Sequence, residues 1–334
     1  MRADYSGAKS RGSRLTMSKC NVPIARAMLA ALVLAQCFYA VAEPLAEALE
    51  KGPVKRILFL GDSITYDGRY VVDFEAWLRT RYPERPFEIV DVGLPSETVS
   101  GLSEEGHADG KFSRPVVFDR LASILEKTKA DLIFACYGMN CGIYKPLDED
   151  RFARYREGIT KLHDAAAKSG ARIVHVTPPM YDAKNAQDHV ADYNGVLAKY
   201  SEWLLSKRAD GWDVADVHGP MTAEFNRRRA SDPAFTFAPD GVHPEEAGHW
   251  FIAQQLIAYC GDAKAAAALS ADEMLAHKVE ALPLLHSRMQ VWRDAWLTAT
   301  GHKHPLVPAG MKLEEAAAAT ADLDREIDDA LCDC

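Results

Sequence analysis

The sequence predicts an α/β protein: a three-layer α/β/α sandwich built on a five-stranded parallel sheet, with a helical C-terminal extension. Short apolar runs with strand character recur at 56–60, 87–92, 132–136, 172–176 and 212–217, and helix-compatible segments lie between them at 71–81, 119–129, 152–169 and 193–209. Strands that alternate with helices pair in parallel, because each parallel neighbour needs a crossover, and right-handed crossovers pack helices over both faces of the sheet. Beyond 261 the chain turns alanine-rich and helical, which accounts for the extension.

Taken in order, residues 1–42 read as a signal peptide. Arg2, Lys9, Arg11, Arg14, Lys19 and Arg26 precede an apolar run over 27–35, and Ala40-Val41-Ala42 offers a small-x-small cleavage site. The run is short for a bilayer, which needs roughly 20 apolar residues, so a retained anchor is the lesser alternative. Met1 and Met17 are both possible starts. Gln36 before Cys37 argues against lipidation at that cysteine. Exported protein, in the periplasm or outside the cell, is the expectation. A helical lead-in over 44–51 comes next, and the main domain is expected to span 43–261.

In the extension, 262–334, Ser270 with Glu273 suggests a capping box, and Pro283 marks a break before a longer helical stretch. Leu285, Met289, Trp292 and Trp296 recur at helical spacing up to a stop at Gly301; the stripe is read as a packing face in preference to a sugar platform. Residues 313–331 form a second, acidic amphipathic helix. No internal repeat is present.

Hydrophobic residues make up 48% of the 334-residue chain, as in an ordinary globular protein. Residues 1–42 hold six basic side chains and one acidic, a net of +5 within the chain's −9, which leaves −14 on the remainder. That charge argues against nucleic acid or an anionic membrane as partner. Five cysteines remain after residue 42, namely Cys136, Cys141, Cys260, Cys332 and Cys334; an odd count supplies no self-contained disulfide framework. His175, between Val174 and Val176, is read as structural, whereas His218, His302 and His304 fall in loop-like positions with no carboxylate or cysteine at metal-ligand spacing. No metal, cofactor or nucleotide motif is found.

Ligands of such sheets bind beyond the carboxyl ends of the strands, so the loops there carry the chemistry. The first strand runs into Gly61-Asp62-Ser63, placing a serine where a helix begins, its amide free because the first helical turn has unpaired donors. The second ends at Asp91-Val92-Gly93, where a glycine could offer its N–H to a substrate. The third ends at Tyr137-Gly138-Met139-Asn140, whose amide could donate to an oxyanion. Asp240-Gly241-Val242-His243 stands just before a helix over 245–259, so the carboxylate could hold one imidazole nitrogen while the other faces a serine. Each block alone reads equally as a cap or a turn; their order and shared edge give them meaning.

In that order the blocks resemble the Ser, Gly, Asn and His motifs of the SGNH (GDSL-type) hydrolase family, over roughly 56–260. The resemblance implies a flavodoxin-like sheet order, no metal, and hydrolysis of esters or thioesters by Ser63 with His243 as base and Asp240 as its partner. The oxyanion would be met by Ser63, Gly93 and Asn140, and Asp62 would tie down the nucleophile turn. Two positions depart from the pattern: Cys141 follows Asn140 where Asp is frequent, and Ser96 stands where a second glycine is frequent. Export, together with similarity of the 66–70 and 292–296 segments to secreted bacterial members, points to a carbohydrate O-acetyl esterase acting on a small or polysaccharide ester. A lysophospholipase or acyl thioesterase, and a non-catalytic carbohydrate-binding protein on the same fold, are the alternatives.

Overall fold

A computed structural model describes residues 45–186, 192–276 and 278–331. The expected signal segment 1–42 with Cys37, and the terminal Cys332 and Cys334, lie outside the described residues. Strands β1 (Arg56–Gly61), β2 (Glu88–Asp91), β3 (Leu132–Cys136), β4 (Arg172–Val176) and β5 (Asp213–Ala215) form one all-parallel sheet in the order β2-β1-β3-β4-β5. This is the expected architecture and order.

Alternation along the strands assigns the two faces. Phe59 of β1 and Phe134 of β3 are register partners, stack at 5.3 Å, and meet Phe74 of the Arg69–Arg81 helix edge-on. His175 of β4, one position on from Val174, faces the other way onto His163 of the Glu149–Ser169 helix and onto Trp212. His175 is fully buried, and burial followed by the neighbouring His163 charge pushes it down to about 3, so it is a neutral core residue.

The expected helix over 71–81 is present as Arg69–Arg81, two residues longer at its start. A short Ser63–Asp67 helix ends on Gly68 at φ 84°, and Arg69–Arg81 starts anew from it. Glycine is needed for this left-handed turn, and Met289 of the C-terminal extension fills the space its missing side chain leaves. His218, expected in a loop, instead opens the His218–Ser231 helix. Gly219 and Pro220 look like breakers, yet both sit in the first turn, where proline costs no hydrogen bond and Asp216 Oδ1 accepts from the Gly219 N–H at 3.2 Å.

The helices Ala281–Thr300 and Leu313–Leu331 pack on the sheet domain. Trp296 and Leu297 join the main core, while Leu285, Met289 and Ile327 close a smaller cluster with Val72 and Ala76 of the Arg69–Arg81 helix. The aromatic stripe is thus a packing face, each buried side chain contributing roughly 1.5 to 3 kcal/mol. Among the described residues, no helix is long and apolar enough to cross a membrane, and no three His, Cys, Asp or Glu side chains gather as a metal site.

Candidate active site

The carboxyl ends of β1, β2 and β3 bring Ser63, the 93–98 loop and Asn140 to one edge of the sheet. Asp62 is buried and caps the Ser63 helix, accepting from the Ile64 N–H at 3.1 Å. Burial pushes its carboxyl up to about 6, with the Ile64 N–H and the charges of His243 and Arg114 acting the other way. The contact bridges the strand end and the first turn of the Ser63 helix.

His243 lies 180 residues from Ser63 in sequence, and its Nε2 stands 2.8 Å from Ser63 Oγ. The helix that follows His243, Glu246–Tyr259, packs along Arg69–Arg81, which follows Ser63. His249 straps the two together: its Nδ1 accepts from the Tyr70 N–H at 3.3 Å and its Nε2 lies 3.2 Å from Asp67. Asp240 Oδ2 is 2.7 Å from His243 Nδ1, and Asp240 Oδ1 accepts from the N–H groups of His243 and Val242 at 2.7 and 2.9 Å. Partial burial acts against the charge, but the His243 N–H, the His243 ring and the Val242 N–H hold Asp240 below its ordinary value. An ionised Asp240 can only accept, so Nδ1 carries the proton and Nε2 turns its lone pair to the Ser63 hydroxyl.

Asn140 is buried, and its orientation is set by its neighbours. Its Oδ1 accepts from Arg114 Nη1 at 2.8 Å and from the Tyr144 hydroxyl at 3.2 Å, leaving Nδ2, a distant 3.5 Å from Glu97 O, as the available donor. Gly93 departs from its expected place as an oxyanion donor. Its N–H donates to Asp91 Oδ1 at 2.7 Å, and the bare α-carbon packs on the backbone of the Ser63 helix, where a Cβ would collide with the Tyr66 backbone nitrogen. The glycine serves close approach, but to Ser63's own helix. Ser96 of the same loop lines the cleft, adopts φ 63°, and its N–H has no hydrogen-bond partner among the described residues. Its left-handed backbone explains why glycine is frequent at this position.

Residues that sequence reasoning passed over complete the surroundings. Arg114 forms a bidentate pair with Glu104 at 2.6 Å for each bond; Glu104 also meets His107, and His107 meets Ser96. Beneath them, buried Glu97 pairs bidentately with Arg120 and accepts from the Tyr137 hydroxyl, all at 2.7 Å. Arg293 of the extension donates to the Tyr66 carbonyl at 2.7 Å and lies 3.9 Å over the Tyr66 ring, so the 66–70 and 292–296 segments meet behind the Ser63 turn. The loop that carries Glu104, His107 and Arg114 has no periodicity to announce them. Ser63, Ser96, Asn140 and His243 open onto a cleft of about 810 Å³.

A sequence profile of the GDSL-like lipase/acylhydrolase family matches residues 59–251, more than half of the chain. The chain belongs to this family. It is an ester-bond hydrolase. No protein of curated function matches the hydrolase by sequence. Among solved structures it is similar to a gut microbial diltiazem-metabolizing enzyme, at 22% identity and a TM-score of 0.50, over 62% of this chain but only 47% of the other. A catalytic mutant of an acetylxylan esterase from Geobacillus stearothermophilus is 20% identical over 62% of this chain and 94% of its own, with a TM-score of 0.47. An α/β hydrolase enzyme from the metagenome of Lake Arreo, Spain, is 23% identical over 62% and 95%, with a TM-score of 0.43.

Proposed function

We propose that this hydrolase cleaves short acyl esters, O-acetyl groups above all, from hydroxyl-rich alcohols such as carbohydrates, through an acyl-enzyme on Ser63. One observation carries the choice of alcohol: of the thirteen residues lining the cleft, only Pro95, Pro239 and Val242 are apolar. Many of these polar groups already pair with one another, so the discrimination rests on side-chain type: a lipid's acyl chain would meet three apolar residues, whereas a polyol's hydroxyls could bond to the donors and acceptors the others still offer.

In this reading His243 takes the Ser63 proton as the hydroxyl attacks the carbonyl, and returns it to the leaving alcohol. Asp240 keeps the imidazole in the right tautomer and offsets its transient charge. The oxyanion is met by the N–H groups of Ser63 and Ser96 and by Asn140 Nδ2; water then releases the acyl group along the same proton path. Asn140→Ala, which removes one donor, is expected to lower kcat by about 10² to 10³ with little change in KM, read by steady-state kinetics on p-nitrophenyl acetate.

The acyl preference is tested with p-nitrophenyl esters from acetyl to octanoyl. The rate is expected to collapse beyond propionyl. A rate that climbs toward octanoyl would replace the carbohydrate reading with a lipid one.

A further inference from the structure

Ser96 Oγ lies 3.1 Å from His107 Nε2, and His107 Nδ1 lies 3.1 Å from Glu104 Oε1, inside the cleft that holds Ser63 and His243. This is a second serine, histidine and carboxylate in line, and its surroundings give it different chemistry. Glu104 is bound through both oxygens by Arg114, whose side chain is almost wholly buried. Burial works against the Glu104 charge, but the Arg114 bonds hold the carboxyl below its ordinary value, so it accepts and cannot donate. His107 Nδ1 therefore carries the ring's proton and Nε2 its lone pair.

Burial and the same arginine weaken His107 as a base. Burial, then the Arg114 charge, lowers His107 from its ordinary value against the pull of Glu104, so the ring stays neutral and resists a second proton. The ring edge is also fixed against Phe112, with centroids at 5.2 Å. His107 Nε2 thus accepts the Ser96 hydroxyl's hydrogen. The Ser96 oxygen, its position set by His107, is left with lone pairs that can accept from a donor in the cleft.

We propose that Ser96 Oγ, its hydrogen tied to His107, accepts a hydrogen bond from a free hydroxyl of the substrate's alcohol next to the scissile ester, and so selects polyol esters. The inference rests on the ester-hydrolase reading above and names the residues that recognise the alcohol. Because the 96 amide and the 96 hydroxyl serve different ends, a variant can separate them. Ser96→Gly deletes the hydroxyl, keeps the N–H, and suits the left-handed backbone better than serine does.

The test compares kcat/KM for glycerol monoacetate and for propyl acetate, which has the same carbon chain without hydroxyls. In Ser96→Gly the ratio of the two is expected to fall about tenfold, the worth of one hydrogen bond between neutral partners. His107→Phe, which keeps a ring against Phe112 but loses the acceptor, is expected to lower the ratio in the same direction, and the double variant to go little further. Equal losses on both esters in both variants would overturn the proposal, since a merely structural role changes both alike. Fluorophosphonate attached to Ser96 would also overturn it, by making that residue a nucleophile. A wild-type protein inert toward both esters would remove the ester-hydrolase reading and this inference with it.

Discussion

Ser63→Ala is expected to abolish labelling by a fluorophosphonate probe and to lower turnover of p-nitrophenyl acetate by on the order of 10⁴-fold or more, in a protein of unchanged stability. In the proposed mechanism the hydroxyl, the imidazole and the carboxylate work as a unit, so the loss would be large: without Oγ there is no atom to receive the acyl group, and His243 Nε2, 2.8 Å from Oγ in the wild type, would have nothing to activate. The fold should not notice. Ser63 is only partly buried, its helix is capped by Asp62, and its hydroxyl makes no bond to the core. Any residual rate would come from the oxyanion donors, which the substitution leaves in place. Labelling that persists in Ser63→Ala, at a rate near wild type, would reject Ser63 as nucleophile; loss of label with an unfolded circular dichroism spectrum would call for Ser63→Gly, which makes the same prediction.

Glu97→Ala is expected to destabilise the protein by about 3 to 5 kcal/mol, measured by urea denaturation. Glu97 is fully buried and takes both Arg120 Nε and Nη2 at 2.7 Å, as well as the Tyr137 hydroxyl. Removing the carboxylate strands the Arg120 guanidinium in the interior with only the Val92 carbonyl for company, since its Nη1 already lacks a partner. The cost is that of an uncompensated buried charge, not the worth of a salt bridge. The companion variant Glu97→Leu with Arg120→Met, which removes both charges and keeps apolar volume, is therefore expected to regain most of the loss. Should Glu97→Ala alone cost less than about 1 kcal/mol, or the pair fare worse than the single change, the buried pair is not what holds the cleft floor. Activity is expected to fall with stability in Glu97→Ala, because the Glu97 carbonyl faces Asn140 Nδ2 and its neighbour Ser96 lines the cleft.

The parts of the site that can be read in advance are those whose signal is local. Asp240 and His243 are three residues apart in one turn, and Asp62 caps the helix it precedes, so each pairing is a property of a short segment. The strands are equally legible, because five apolar runs separated by helical segments admit few arrangements. His218 escapes a loop-or-helix reading for a local reason: Gly219 and Pro220 break a helix interior but not a helix start. The role of Gly93 escapes it for a geometric one. A glycine at a strand end signals that some backbone comes close, and the sequence does not say which; here it is the Ser63 helix, while the 96 amide has no hydrogen-bond partner among the described residues.

What the amino-acid sequence determined by itself is the succession of strands and helices, the serine at the end of the first strand and the aspartate and histidine before the last sheet-covering helix, since near neighbours in the chain constrain one another through backbone geometry and periodic burial. Only the tertiary structure decided that Arg114 turns Asn140, that Glu104 and His107 hold the Ser96 hydroxyl, and that Arg293 backs the Ser63 turn from 227 residues away. Those contacts join irregular or distant segments whose side chains meet only once the sheet and its helices are packed, and packing, unlike periodicity, leaves no mark on a segment read alone.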